Sequence, residues 1–180
     1  MNGGKENPSW TLTARLLHWS MAILILLQAG LGWYAESLDR SPLRIDLMTA
    51  HKSLGISLLL LVIMRLAWRW RHPPPPPLPE PPRHARLLAR WVQGLMYFLM
   101  FSIPLSGWLA ASTAVFPWKL WWLLPWPRLT APDAAVQDLA AGIHEWLIWS
   151  LTALLVLHIA AAIKNHLLDR DDTLRSMWRV

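Results

Sequence analysis

Four long apolar blocks dominate this chain, roughly Ala14–Ala35, Ala50–Trp70, Trp91–Thr113 and Leu139–His166. Each has about 20 or more residues, the length a helix needs to cross a hydrocarbon core of about 30 Å. Inside lipid every backbone N–H and C=O must be paired within the protein, and for blocks of this length that means helices. The chain therefore reads as all-α, an integral membrane four-helix bundle forming a single membrane domain over residues 1–180. A soluble domain would cut its apolar residues into shorter runs. It would also carry more charge than the 16% found here beside 54% hydrophobic residues. The first block is too long for the apolar core of a cleavable signal, lacks a small-residue cleavage site and is followed by three more blocks.

Orientation follows from the basic residues, which accumulate on the cytoplasmic side of a membrane. Twelve of the 17 Lys and Arg fall on one side: Lys5, Arg15, Arg65, Arg69, Arg71, Arg83, Arg86, Arg90, Lys164, Arg170, Arg175 and Arg179. Arg40, Arg44, Lys52, Lys119 and Arg128 fall on the other. Both termini are expected in the cytoplasm. The asymmetry accounts for the net charge of +6, so the basic balance calls for lipid as a partner and for no nucleic acid. The connection over 72–86, "HPPPPPLPEPPRHAR", is expected to be a stiff, proline-rich cytoplasmic linker. The loop over 114–138 is tryptophan-rich, and Pro117, Pro125, Pro127 and Pro132 argue against another span. Trp118, Trp121, Trp122 and Trp126 suit a periplasmic segment at headgroup level. Pro104 and Gly107 in "IPLSGW" suggest a kink or a close helix contact.

The chemistry lies in the histidines. The chain has no cysteine, which excludes disulfides, iron–sulfur clusters and covalent c-type haem. His72 and His84 flank the proline linker and read as solvated. His144 and His158 lie 14 residues apart in the fourth block. Fourteen residues of helix turn through about 1,400°, leaving the two side chains about 40° apart and about 21 Å apart along the axis. One face thus presents imidazoles at two depths. His51 begins the second block at the outer depth and His18 lies in the first at the inner depth. The pairs His51/His144 and His18/His158 follow. Two neutral imidazoles facing each other across a bundle suit the axial positions of a haem iron.

Ala14 and Ala22 near His18, Gly55 after His51, Ala140 before His144 and Ala162 after His158 are small neighbours. They serve close approach of a flat macrocycle and ordinary helix packing equally well. A zinc or iron transport site is the chemical competitor, but bundle metal sites recruit carboxylates beside histidine. Glu145 is the one acid within an expected span. Broken helices or repeat symmetry, the marks of a transporter, are not evident.

The pieces "LLHW", "HKSLGI", "IPLSGW", "IHE" and "LHIAAAIKNHLLDRDDTLRSMW" together make the sequence resemble the bacterial cytochrome b561 family, related to the cytochrome b subunits of nickel hydrogenases. The resemblance implies a multi-pass protein of the bacterial inner membrane with two non-covalent haem b groups. It places the iron ligands on His18, His51, His144 and His158, with His166 as the reserve candidate for His158. It further implies respiratory electron transfer between the quinone pool and an outer-side donor. The best-defined activity in the family is that of a superoxide:ubiquinone oxidoreductase. On that reading Lys52, Arg40, Arg44, Lys119 and Arg128 are candidates to attract the superoxide anion or to balance haem propionates. Ordinary loop charge explains them as well. The alternative is a cytochrome b membrane anchor that passes electrons between the quinone pool and a partner redox enzyme. A non-redox transporter, the third class, would purify colourless.

Overall fold

The computed structural model describes residues 10–73, 75, 82–169 and 173–178. Part of the proline-rich segment, residues 74 and 76–81, lies outside them, as do Lys5, Arg170 and Arg179. Four long helices are present: α1 (Leu12–Ser37), α2 (Pro42–Arg71), α3 (Arg83–Thr113) and α4 (Ala134–Lys164). All four are long and apolar enough to cross a membrane. α1, α2 and α4 begin before their apolar blocks, each at a polar N-cap. Thr11 Oγ1 accepts from the Ala14 amide at 3.2 Å and Ser41 Oγ from the Arg44 amide at 3.2 Å. Asp133 Oδ1 accepts from the Val136 amide at 3.1 Å. These bonds satisfy amides that the first helical turn leaves without partners. Pro42 at the first turn of α2 gives up an amide that would have been orphaned in any case. α3 begins directly after Pro82 and runs unbroken through Pro104.

The helices alternate in direction. The start of α1, the end of α2, the start of α3 and the end of α4 share one end of the bundle, here the termini end. The other is the hairpin end, named for a small antiparallel ribbon between α3 and α4. That ribbon pairs β1 (Lys119–Leu120) with β2 (Leu124–Pro125). Packing is tight between α1 and α2 and between α3 and α4, with α2 against α3 joining the two helical pairs. α1 and α4 meet chiefly through side chains. His18 lies against His158, and Trp33 against Trp149 with ring centroids 5.8 Å apart.

The core is narrow, built around Met21, Ile56, Val62, Leu99 and Leu151. Large apolar side chains cover the outside: Leu26 is 64% exposed, Trp146 77% and Leu157 60%. Such a surface is a liability in water and the low-energy choice against acyl chains. Buried hydroxyls bond back to their own helix, as apolar surroundings require. Ser53 Oγ donates to Thr49 O at 2.8 Å and Ser112 Oγ to Trp108 O at 2.7 Å.

The turn of the ribbon holds Trp121 and Trp122 at φ 50° and 61°. Non-glycine residues reach this left-handed region at a cost of about 1–3 kcal/mol each. Bonds to α2 offset it. The Trp121 amide donates to Ser53 Oγ at 2.8 Å, Trp121 Nε1 to Ser57 Oγ at 3.3 Å and Trp122 Nε1 to Asp46 Oδ1 at 3.2 Å. The four loop tryptophans are therefore not simply an interfacial belt. Trp121 and Trp122 pin the ribbon to the helix that carries His51. Past α4 the chain takes a π-helical turn (Asn165–Asp169), and a short helix, α5 (Thr173–Trp178), returns to α1. There Trp19 Nε1 donates to Met177 O at 3.0 Å and Trp19 meets Trp178 edge-on.

Candidate functional site

At the hairpin end, α2 and α4 bring His51 and His144 together, with ring centroids 6.3 Å apart and planes at 84°. Each ring is held from behind by the neighbouring helix in the same way. His51 Nδ1 donates to Gln28 O of α1 at 3.2 Å, and His144 Nδ1 donates to Ile103 O of α3 at 2.9 Å. A carbonyl can only accept, so Nδ1 carries the proton and the Nε2 lone pair is left for another partner. Four residues beyond each carbonyl stands a glycine. A Cβ on Gly32 would lie 2.7 Å from His51 Cε1, and one on Gly107 would lie 3.0 Å from His144 Cε1. Any larger residue would push the ring away. Gln28 also donates from Nε2 to His51 O at 2.8 Å, and Ser106 Oγ lies 3.0 Å from His144 Nδ1. Both rings thus have their rotation and tautomer set.

At the termini end, α1 and α4 bring His18 and His158 together at the same centroid spacing, 6.3 Å, with planes at 70°. What lies behind His18 is different. Arg65 of α2 places Nη2 3.2 Å from His18 Nδ1, while its Nε donates to the Tyr97 hydroxyl at 2.9 Å and its Nη1 to Ala14 O at 3.4 Å. Trp19 packs edge-on against His18.

The remaining expected site residues are scattered. Lys52 lies with Nζ 5.8 Å from the Trp118 ring centroid. Arg44 pairs with Glu36 at 2.9 Å and donates to Leu38 O. Arg128 donates to the carbonyls of Ser112, Ala114 and Val115 at the end of α3. Arg40 and Lys119 are exposed. His166 joins neither pair. Among the described residues its buried Nδ1 has no hydrogen-bond partner, and it lines a 340 Å³ pocket with Trp19, Leu174, Arg175 and Trp178. Glu145 is exposed.

Sequence reasoning missed Gly32, Gln28, Ser106 and Arg65, and it marked Gly107 for a kink or close helix contact without identifying His144 as what it meets. It sought small residues on the histidines' own helices, whereas the glycines that count face them from adjacent ones. For Arg65 a signal existed. It lies inside the block Ala50–Trp70, where an ionisable side chain is costly and marks a function by default.

The ring spacings of both pairs suit haem, and at the hairpin end the tautomers do as well. A nitrogen about 2 Å from a metal on each side puts two imidazole centroids about 6 Å apart, the spacing of both pairs. Among the described residues no three His, Asp or Glu side chains converge on one point. Two-imidazole sets without carboxylates fit the two axial positions of a haem iron, the macrocycle supplying the other four donors, and do not fit a tetrahedral zinc cage.

The sequence pattern described as prokaryotic cytochrome b561 matches residues 9–179. Cytochrome b561 homolog 2 of Escherichia coli (strain K12) is 34% identical over 171 residues, covering 89% of this chain and 86% of that protein.

Proposed function

The chain belongs to the prokaryotic cytochrome b561 family, whose members are membrane-spanning haem b electron-transfer proteins, and on that premise we propose that it carries electrons from superoxide to ubiquinone. Two haem b groups take part in this reading, one held by His51 and His144, the other by His18 and His158. The observation that carries it is the recurrence of one ring spacing, 6.3 Å, in two histidine pairs. Fourteen residues separate His144 from His158, which sets the pairs about 21 Å apart along α4. A haem b bound between two histidines supplies a one-electron carrier in a low-dielectric setting.

The hairpin end faces the periplasm in this reading, because basic residues gather at the termini end. There two superoxide anions lose one electron each and leave as dioxygen. Lys52, one residue from His51 and beneath Trp118, supplies positive charge where the anion arrives. One ubiquinone takes up two electrons and two protons and leaves as ubiquinol. The pocket of Trp19, His166, Leu174, Arg175 and Trp178, one residue from His18, has a volume of 340 Å³, within the usual range for small-molecule sites. It is the place proposed for the quinone headgroup.

The test is spectroscopic. Superoxide generated beside the purified protein should produce the reduced b-type spectrum, and ubiquinone should restore the oxidised one. Reduction by superoxide without reoxidation by any quinone would sink the oxidoreductase assignment. Reduction by quinol alone, with superoxide inert, would assign the protein instead as the membrane anchor of a partner redox enzyme.

A further inference from the structure

The ribbon between α3 and α4 does not stand clear of the bundle. The chain leaves α3 at Thr113 and rejoins the helical frame at Asp133, whose amide donates to Thr113 O at 3.1 Å. Between these points it turns back along the outside of α2 and α3. The Trp121 amide bonds Ser53, and the Trp121 indole bonds Ser57. At 1.5 Å per residue these serines lie about 3 Å and about 9 Å further along α2 than His51. On α3, Trp108 Nε1 donates to Pro127 O at 3.0 Å, one residue past the glycine that backs His144. The turn and the returning leg are thus fixed near the level of the His51/His144 pair. That level is inside the apolar part of the bundle. The apolar block of α3 runs on from Gly107 to Thr113, about 9 Å nearer the hairpin end.

Backbone that is not helical survives at membrane depth only where its polar groups are paired against protein. The turn meets that demand. The Trp121 amide has Ser53 Oγ. The Trp122 amide donates to Lys119 O at 3.3 Å, the Leu123 amide to Leu120 O at 3.0 Å and the Trp126 amide to Trp118 O at 3.2 Å. Pro117, Pro125 and Pro127 have no amide to satisfy. The side chains at the turn are apolar and uncovered by protein: Leu123 is 82% exposed and Leu124 57%. Lys119, the one charge from 119 to 125, is exposed and has the long stem by which a lysine near a membrane surface reaches the headgroups.

We propose that the ribbon is a re-entrant element that lies in the acyl layer of the leaflet at the hairpin end, with Leu123 and Leu124 against lipid chains. This is deeper than the headgroup level that its tryptophans by themselves suggest. The occupant follows from continuity. The ribbon extends the apolar outer surface of the two helices it lies on, where Leu60 of α2 and Phe101 of α3 are also exposed. The ribbon fastens the hairpin end at a set depth, because lifting it out would carry two leucines from lipid into water. The proposal rests neither on the haem reading nor on which side of the membrane the hairpin end faces.

Spin labelling of the full chain in phosphatidylcholine–phosphatidylglycerol vesicles tests this. The chain has no cysteine, so one introduced cysteine carries the only label. Collisions of the label with oxygen, which gathers in lipid, are compared with those of a nickel chelate, which stays in water. Leu123→Cys should give an oxygen-to-nickel ratio close to that of Trp146→Cys, an exposed apolar position two residues past His144 on α4. It should lie severalfold above that of Arg40→Cys in the connection between α1 and α2. A ratio nearer that of Arg40→Cys overturns the proposal, since the ribbon then lies in water or among the headgroups. Exclusion of both relaxants also overturns it, because protein, such as a second copy of this chain, then covers the ribbon. Should Leu123→Cys fail to fold, Leu124→Cys is expected to give the same ratio, and the same two outcomes there overturn the proposal.

Discussion

The hairpin end and the termini end solve one problem with different materials. Each must hold two imidazoles 6.3 Å apart inside a helical bundle. The hairpin end does so with neutral backbone: carbonyls of Gln28 and Ile103 behind the rings, with Gly32 and Gly107 giving room for them. The device is built once by α1 on a histidine of α2 and again by α3 on a histidine of α4. The termini end uses a charged side chain from a third helix. Ring spacing is therefore set by where the helices run, whereas the electrical character of each site is set by its backing, and the two can vary separately.

The most severe test of that comparison removes the rings. His51→Ala or His144→Ala should cut the haem-to-protein ratio from about two to about one, read by pyridine haemochrome assay, with the termini-end spectrum retained. His18→Ala or His158→Ala should do the reverse. Full retention in His158→Ala would shift the assignment to His166. Equal loss of both haems in all four variants would show that the ends are not independent.

A smaller effect should come from the glycines. Gly32→Ala puts a methyl group 2.7 Å from His51 Cε1, an overpacking worth about 1–3 kcal/mol. Haem at the hairpin end should be held roughly tenfold or more weakly, measured by transfer to apomyoglobin, with the termini-end haem unaffected. Gly107→Ala, with a longer approach of 3.0 Å against 2.7 Å, should follow in the same direction by less. If both ends weaken alike, the glycines serve general packing and not the rings.

Ser53→Ala removes the acceptor of the Trp121 amide. The loss of one bond with a part-buried donor left over should cost about 1–3 kcal/mol locally. Faster hydrogen exchange at Trp121 should report it, while exchange near α5 stays as it was. The least effect is expected from charge at the rim. Lys52→Glu should slow haem reduction by superoxide severalfold at low salt, and the difference should shrink as ionic strength rises. A salt-independent rate would remove Lys52 from anion capture.

Much of this architecture was legible in the residues. Four apolar blocks announce four helices because lipid permits little else. The 14-residue interval from His144 to His158 places two rings on one helix face because helical geometry is rigid, and the structure sets each opposite a histidine of another helix. What stayed hidden depends on register between helices. Nothing in "LGW" or "SGW" says that Gly32 and Gly107 abut a histidine many residues away, since that contact exists only once two helices are docked. The ribbon at 119–125 stayed hidden because its turn places two tryptophans at positive φ, against local preference, and is stabilised by α2. Arg65 was readable and was misread: counting it as cytoplasmic loop charge obscured that it lies within an apolar block.

The thinness of the contact between α1 and α4 has a consequence for biogenesis. α1 with α2, and α3 with α4, are tight antiparallel units that a translocation machinery could deliver to the bilayer one after the other. Each histidine pair takes one ring from the first unit and one from the second. On the two-haem reading proposed above, iron coordination would act as a rivet between two prefabricated halves, and haem supply would become a checkpoint for maturation. Starved of haem, the cell would hold two hairpins joined along α2 and α3, open on the α1–α4 side and exposed there to membrane proteases.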